Sequence, residues 1–289
     1  MVCEASPRRQ EAACGGVVDT SPPRTLRSVT GMWRWLRRIA VCVVIVGLVG
    51  AGWVFVGLPP RDEVRALARK APGRTALMVQ REGEARRAGH EARTVQKWVP
   101  LDRVSSHLLH AVLASEDQRF FGHEGIDWDA VLESVEDNVE RGQLWRGGST
   151  LTQQLAKNLY FTPDRSLVRK VAEAVVAKRL EFFLTKDRIL ELYLNLAEWG
   201  PGVFGAEAAA HTYFDRGADD LTLEEAATLA AILPHPLTSN PHFHPARMVW
   251  RREMLLLRLR GPPLPPPPHI EVPLLPDTAD SGVDTTPRR

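Results

Sequence analysis

Twenty consecutive residues, Ile39 to Leu58 (IAVCVVIVGLVGAGWVFVGL), carry no charge. At about 1.5 Å of rise per residue, a helix of that length spans about 30 Å, the thickness of a bilayer core. A buried core helix is the competing reading, although such helices rarely lack polar residues throughout. Seven arginines (Arg8, Arg9, Arg24, Arg27, Arg34, Arg37 and Arg38) face three acidic residues in the first 38 positions. That bias predicts a single N-terminal transmembrane helix with its N-terminus in the cytoplasm. A cleaved signal peptide fits less well: its apolar region usually runs about 7–15 residues, and no small-x-small cleavage site closely follows Leu58. The expectation is an uncleaved anchor, with everything after residue 58 outside the cytoplasm.

Cysteine usage agrees. Cys3 and Cys14 precede the apolar run and Cys42 lies within it, so the exported part has none. This excludes a disulfide framework and a cysteine-based metal site, and the anchor argues against a soluble cytosolic enzyme. A formal net charge of +2 is too mild to point to nucleic acid.

The 289 residues leave room for about two domains. Residues 1–31, rich in Ser, Pro, Gly and Arg, read as a disordered cytoplasmic tail, and 32–58 as the basic flank and anchor. Met32 is an alternative start to Met1. Residues 59–100 form a connector in which TALMVQR and TVQKWVP are expected to pair as short strands. Residues 101–260 are helical in character, with apolar residues at helical spacing in HLLHAVLASED, STLTQQLAKNLY, SLVRKVAEAVVAKRLEFFL, KDRILELYLNLAEWG and TLEEAATLAAIL. Ser149, Ser166 and Thr222 with Glu225 serve as start signals, and Thr162-Pro163 and Gly200-Pro201 as stops. Residues 261–289 hold nine prolines and read as an extended or disordered tail.

Three constellations could carry chemistry. Glu116 and Asp117 sit side by side at the end of an apolar helix, followed by Phe120 and His123. A partly buried carboxylate near others has a raised pKa, which suits a general base, though a solvated acidic helix end fits equally. In GGSTLTQQLAKN (Gly147 to Asn158), glycines precede a helix whose first N–H groups are free. Thr150, Gln154 and Lys157 follow i, i+4, i+7 spacing and predict one polar face beside the apolar stripe Leu151, Leu155, Leu159. Such a face suits an anionic or sugar ligand, or is an ordinary outer face; it is not a Walker loop. Arg169, Lys170 and Glu173 share one helical side, an arrangement that surface ion pairs often adopt.

In this order and spacing, the motifs change the reading. The chain resembles glycosyltransferase family 51, specifically the monofunctional biosynthetic peptidoglycan glycosyltransferases. ED-x-x-F-x-x-H-x-G (Glu116 to Gly125) is similar to the first family motif, GGSTLTQQLAKN to the second and RK-x-x-E (Arg169 to Glu173) to the third. ILELYLN (Ile189 to Asn195) resembles the fourth, and GVFGAEAAAHTYF (Gly202 to Phe214) the fifth. The resemblance runs from about Pro59 to Arg260. Neither the Ser-x-x-Lys nucleophile nor the Lys-Thr-Gly element of bifunctional relatives is present in the chain. The fold it implies is mainly α, a lysozyme-like glycosyltransferase domain over residues 59–260 behind the anchor.

The resemblance implies polymerisation of lipid II into β-1,4 glycan strands with release of undecaprenyl diphosphate, at the bacterial inner membrane with the domain in the periplasm. It makes Glu116 the base that takes the acceptor proton. Lys157 and Arg169, assisted by Lys170, would hold the donor pyrophosphate. Glu173 would be the second essential acid, orienting those cations or holding a divalent cation (Mg or Mn), with no cofactor required and no metal ligands assigned. Asp117, Phe120, His123, Thr150 and Gln154 would shape the sugar and diphosphate subsites, and Gly147 with Gly148 would let the loop move. Leu144 and Trp145 are expected at the lipid surface. The implied partners are lipid II, undecaprenyl-diphosphate-linked glycan, the membrane and other cell-wall synthesis proteins, with no nucleic acid. A lysozyme-like lytic enzyme and a catalytically inactive cell-wall scaffold are the alternatives. The cations disfavour the first and the intact carboxylates the second.

Overall fold

The computed structural model describes residues 24–140, 148–162, 166–243 and 245–261, with side-chain surroundings from residue 33 onward except at 46, 48, 51, 53–56 and 135–140. The chain forms two compact units, Met1–Trp53 and Val54–Arg289. The described part of the first is helix α1, Arg24–Val56, whose last three residues count with the second unit. This helix begins eight residues before Met32, so the part of the expected tail after residue 23 is helical. Pro22 and Pro23 precede it and no proline interrupts it, which fits the tolerance of proline only at a helix start. The expected anchor lies on α1 but falls partly outside the described side chains. Among the described residues, no helix is long and apolar enough to cross a membrane. Gly147, Leu144, Trp145 and the proline-rich segment from residue 262 also lie outside the described residues.

The second unit is mainly helical, as expected. Its elements are α2 (Arg61–Ala66), α3 (Ala76–Arg87), β1 (Val95–Gln96), α4 (Ser106–Glu116), α5 (Trp128–Glu140), α6 (Leu151–Tyr160), α7 (Leu167–Phe183), α8 (Lys186–Leu196), β2 (Glu198–Gly200), β3 (Val203–Phe204), α9 (Ala206–Phe214), α10 (Leu223–Ile232) and α11 (Pro245–Leu259). Helices α8 and α10 form the centre: Ile189, Leu190 and Leu192 to Leu196 are buried on one, and Ala226 to Ile232 on the other. Helix α6 packs on α7 and α8, while α4 and α11 both pack on α10. The stripe Leu151, Leu155, Leu159 faces this core, as a 3.6-residue period requires.

Two expectations fail in the connector and after α8. TALMVQR is not a strand: Thr75 Oγ1 accepts from the Met78 amide at 3.2 Å and starts α3. An N-cap hydroxyl placed before Leu77 and Met78 outweighs the short alternating pattern. Only Val95–Gln96 of TVQKWVP is a strand, and it pairs in parallel with Val203–Phe204, which pairs antiparallel with β2. Helix α8 stops at Leu196, so Glu198–Gly200 is strand rather than helix. Asn195 fixes this junction: its Oδ1 accepts from Val99 N at 2.8 Å, and its Nδ2 donates to Val99 O at 2.7 Å.

Ser166 and the Thr222–Glu225 capping box start α7 and α10 as expected. The start of α6 differs by one residue. Thr150, not Ser149, is its N-cap, in a capping box with Gln153. Buried Thr150 Oγ1 also donates to Gly125 O at 2.7 Å. Thr150→Ala therefore leaves the Gln153 amide and the Gly125 carbonyl without that partner, and is expected to cost about 1–3 kcal/mol, with Thr150→Ser restoring most of it. Chemical denaturation checks this; an alanine variant as stable as wild type would contradict the role.

Candidate active site

Helix α4 ends at Glu116, and Asp117, its C-cap, turns into extended backbone at φ −163 and ψ 81. That turn sends the two adjacent carboxylates to different tasks. Buried Asp117 accepts from the Leu151 amide at 2.9 Å, at the first turn of α6. His123 Nε2 donates to it, 3.0 Å from both oxygens. Phe120 is fully buried, edge-on to the His123 ring, with the Lys186 ammonium 4.4 Å over its face. Gly125 closes the segment at φ +81, where a Cβ would lie 3.0 Å from Glu181 Cγ, so the left-handed backbone and the close approach both require glycine. Asp117, Phe120, His123 and Thr150 thus build the floor that holds α4 to α6. Sequence spacing predicts Thr150 on one polar face with Gln154 and Lys157, but as N-cap it is buried, with its hydroxyl occupied by Gly125 and Gln153.

Glu116 is half-buried above this floor. Gln154 Nε2 donates to its Oε2 at 2.9 Å, and Ser115 Oγ donates to Oε1 at 3.2 Å. Gln154 is itself oriented by Tyr193, whose phenol donates to Oε1 at 3.1 Å. Gln154 therefore serves the carboxylate in this arrangement. Burial pushes the Glu116 carboxyl above its ordinary pKa, while Gln154, Ser115, Arg251 and Lys157 pull it down. Tyr193 is a site residue that periodicity hides, because a tyrosine inside ILELYLN reads as core. Its phenol is fully buried and held well above its ordinary pKa, first by burial and then by Glu116 and Asp117.

The cations gather on α6 and the first turns of α7. Glu173, with its side chain 2% exposed, lies between Arg169 Nε at 2.9 Å and Lys170 Nζ at 3.2 Å. The Arg169 contact is an ion pair whose alignment falls short of a hydrogen bond. Lys170 Nζ also donates to Ser149 Oγ at 2.8 Å, and Arg169 Nη1 to Thr162 O at 3.2 Å, tying both ends of the α6 segment to α7. Lys157 makes no hydrogen bond or ion pair with a described residue, yet it senses both Glu173 and Glu116. It is open to water but crowded by protein, and this desolvation, with Lys170 and Arg169 nearby, lowers its pKa; Glu173 and Glu116 oppose that. Among the described residues, three cations against the Glu173 carboxylate leave two positive charges beside Glu116.

Gly148 adopts φ +76 at the edge of this group. Among the described residues, the carboxylates of this site are already engaged by protein groups. Glu173 is already held by two cations, and Asp117, His123 and Asp127, though their ligand atoms lie within 4.8 Å of one another, are committed. Asp127 pairs with Arg119 at 2.7 Å and accepts the Ala130 amide at 3.0 Å, and a guanidinium at that distance opposes a metal ion.

A family model described as Transglycosylase matches residues 83–260. The chain belongs to the transglycosylase family. It is 45% identical over 194 residues to a biosynthetic peptidoglycan transglycosylase of Herminiimonas arsenicoxydans, covering 67% of this chain and 84% of that protein. Proteins of the same description from Bordetella pertussis and Azoarcus sp. are 41% and 39% identical over 237 and 235 residues, covering 96% and 99% of their own lengths and 81% of this chain. The matched span includes Glu116 and every side chain of the cation group.

In this transglycosylase, Glu173 balances the cations. Glu173→Gln removes the charge that most supports Lys157, so the Lys157 pKa is expected to fall further, and to do so in the folded protein. Titration by NMR with labelled lysine checks this; an unmoved Lys157 would contradict the charge balance.

Proposed function

We propose that this chain is a peptidoglycan glycosyltransferase that polymerises lipid II. The relatives' shared description supports the reaction class, and one observation carries the mechanism: Glu116, a carboxylate with a raised pKa and no ion pair among the described residues, stands beside an excess of cations. In the proposed reaction, Glu116 takes the proton from the 4-hydroxyl of the acceptor GlcNAc. The freed oxygen attacks C1 of the donor MurNAc, and the C1–O bond to pyrophosphate breaks with inversion. Undecaprenyl diphosphate leaves with the electron pair. Lys157 and Arg169, with Lys170, would meet its growing charge, as preorganised cations do for phosphoryl groups. A pyrophosphate is already a stable leaving anion and requires no strong general acid. Glu173 is a positioning residue in this scheme, and no step is routed through a metal ion.

Glycan cleavage fits less well. A glycosidase of either stereochemistry ordinarily uses two available carboxyl groups flanking the bond, one as acid and one as base or nucleophile. Here Asp117 is held by an amide and a histidine, and Glu173 by two cations, leaving Glu116 alone. A cell-envelope location follows from the reaction. The charge-free run and its upstream arginines support an anchored enzyme with the catalytic unit outside the cytoplasm, where a membrane-bound substrate is concentrated in the same plane.

Detergent-solubilised full-length protein with labelled lipid II is expected to give glycan polymer, and Glu116→Gln to lower the rate at least about 100-fold, the usual worth of a general base. Polymer from the glutamine variant at the wild-type rate would remove Glu116 from its role. Shortening of isolated glycan by wild type without polymer formation would replace transfer by cleavage.

A further inference from the structure

Helix α11 lies on α10 and α4, burying Met248, Leu255 and Leu256. Arg251, Leu255 and Arg258 follow at spacings of four and three, which places them on one side of the helix. Arg258 Nη1 donates to Ala114 O at 3.0 Å, two residues before Glu116 on α4. About two helical turns before Arg258, Arg251 is partly buried, and its Nη1 has no hydrogen-bond partner among the described residues. Neither the five motifs nor the base and cation groups use this residue. A buried guanidinium nitrogen without a partner is costly unless its charge acts on something. Burial, the larger effect, and Arg247 hold the Arg251 charge below its ordinary stability; Glu116 is the carboxylate that opposes them.

We infer that Arg251 is a positioning residue for the transfer reaction, whose fixed positive charge on α11 favours the ionised form of Glu116 without touching the substrate. This rests on Glu116 being the base. The groups facing Glu116 leave that task to few others. Helix α4 contributes Ser115 and the adjoining Asp117, α6 the neutral Gln154 and Lys157, and α8 the Tyr193 phenol. Helix α10 offers Glu224 and Glu225, which pair with Arg260 and Arg216 instead. Lys157 is the other cation, and it stands with the cation group, where bound diphosphate would neutralise it. Arg251 then becomes the cation that keeps Glu116 ionised once donor is in place. Removing it raises the Glu116 pKa, so activity is lost on the acid side and returns as pH rises.

The test is the pH profile of lipid II polymerisation by full-length wild type, Arg251→Gln, Arg251→Met and Arg251→Lys. It is paired with infrared titration of the Glu116 carboxyl, isolated by subtracting spectra of the Glu116→Gln background. The expected result is an acid limb and a carboxyl titration both shifted up by about one pH unit in the glutamine and methionine variants, the size of one charge interaction in a partly buried site. The lysine variant should stay near wild type, and KM for lipid II should change by less than about twofold at the high-pH plateau. Methionine keeps the aliphatic packing if glutamine impairs folding. An unmoved limb and carboxyl titration would overturn the inference, as would a pH-independent loss with raised KM, the mark of substrate contact. Absence of polymer from wild type would count against the proposed reaction, while the carboxyl titration would still decide the role of Arg251.

Discussion

The carboxylate of Asp117 is the contact on which the site depends. It accepts the Leu151 amide and the His123 imidazole at once, so the end of α4 and the start of α6 are fixed to one buried anion. Without that anchor, Glu116 and Gln154 belong to segments 38 residues apart in sequence. With it, the Gln154 amide is delivered to Glu116, and Tyr193 sets which end of that amide points there. A buried carboxylate is tolerated only with its hydrogen-bond capacity filled, so Asp117 gives up chemical availability to become the hinge pin of the floor. Its neighbour keeps the availability.

Charge is divided in the same way. Glu116 is surrounded by a neutral amide and a hydroxyl, with cations further off, and burial raises its pKa. Glu173 is enclosed by Arg169 and Lys170 and serves them. Two glutamates on one protein thus have opposite surroundings, which suit the proposed base on one side and a counter-ion on the other. Lys157 senses both, and as the cation without a described partner it is the one most open to an incoming anion. The Lys170 bond to Ser149 links the residue just before the α6 N-cap to this charge group.

Much of this was legible in the residues. The Leu151, Leu155, Leu159 stripe, the Thr222–Glu225 box and the Ser166 cap follow from local rules that the fold does not overrule. The ordered motifs located Glu116, Lys157, Arg169, Lys170 and Glu173 within two neighbouring groups. Spacing of i, i+4 cannot distinguish an N-cap from the helical face it precedes, and only the Gly125 carbonyl, 25 residues from Thr150, reveals where its hydroxyl goes. Nothing local to Gln154 shows that Glu116 and Tyr193 converge on it. TALMVQR reads as alternating until Thr75 is seen to cap a helix. Arg251 carries no sequence signal at all, since a basic residue on an amphipathic helix is ordinary, and its significance comes from what α11 packs against.

Separation of the base from the anion-holding group is tested most directly by the affinity of full-length protein in detergent for undecaprenyl diphosphate. Glu116→Gln should bind within about threefold of wild type, because that product presents no acceptor proton. Lys157→Gln should bind at least about tenfold more weakly, the worth of one charge-assisted contact. Equal losses in the two variants, or a loss confined to Glu116→Gln, would contradict the division of labour.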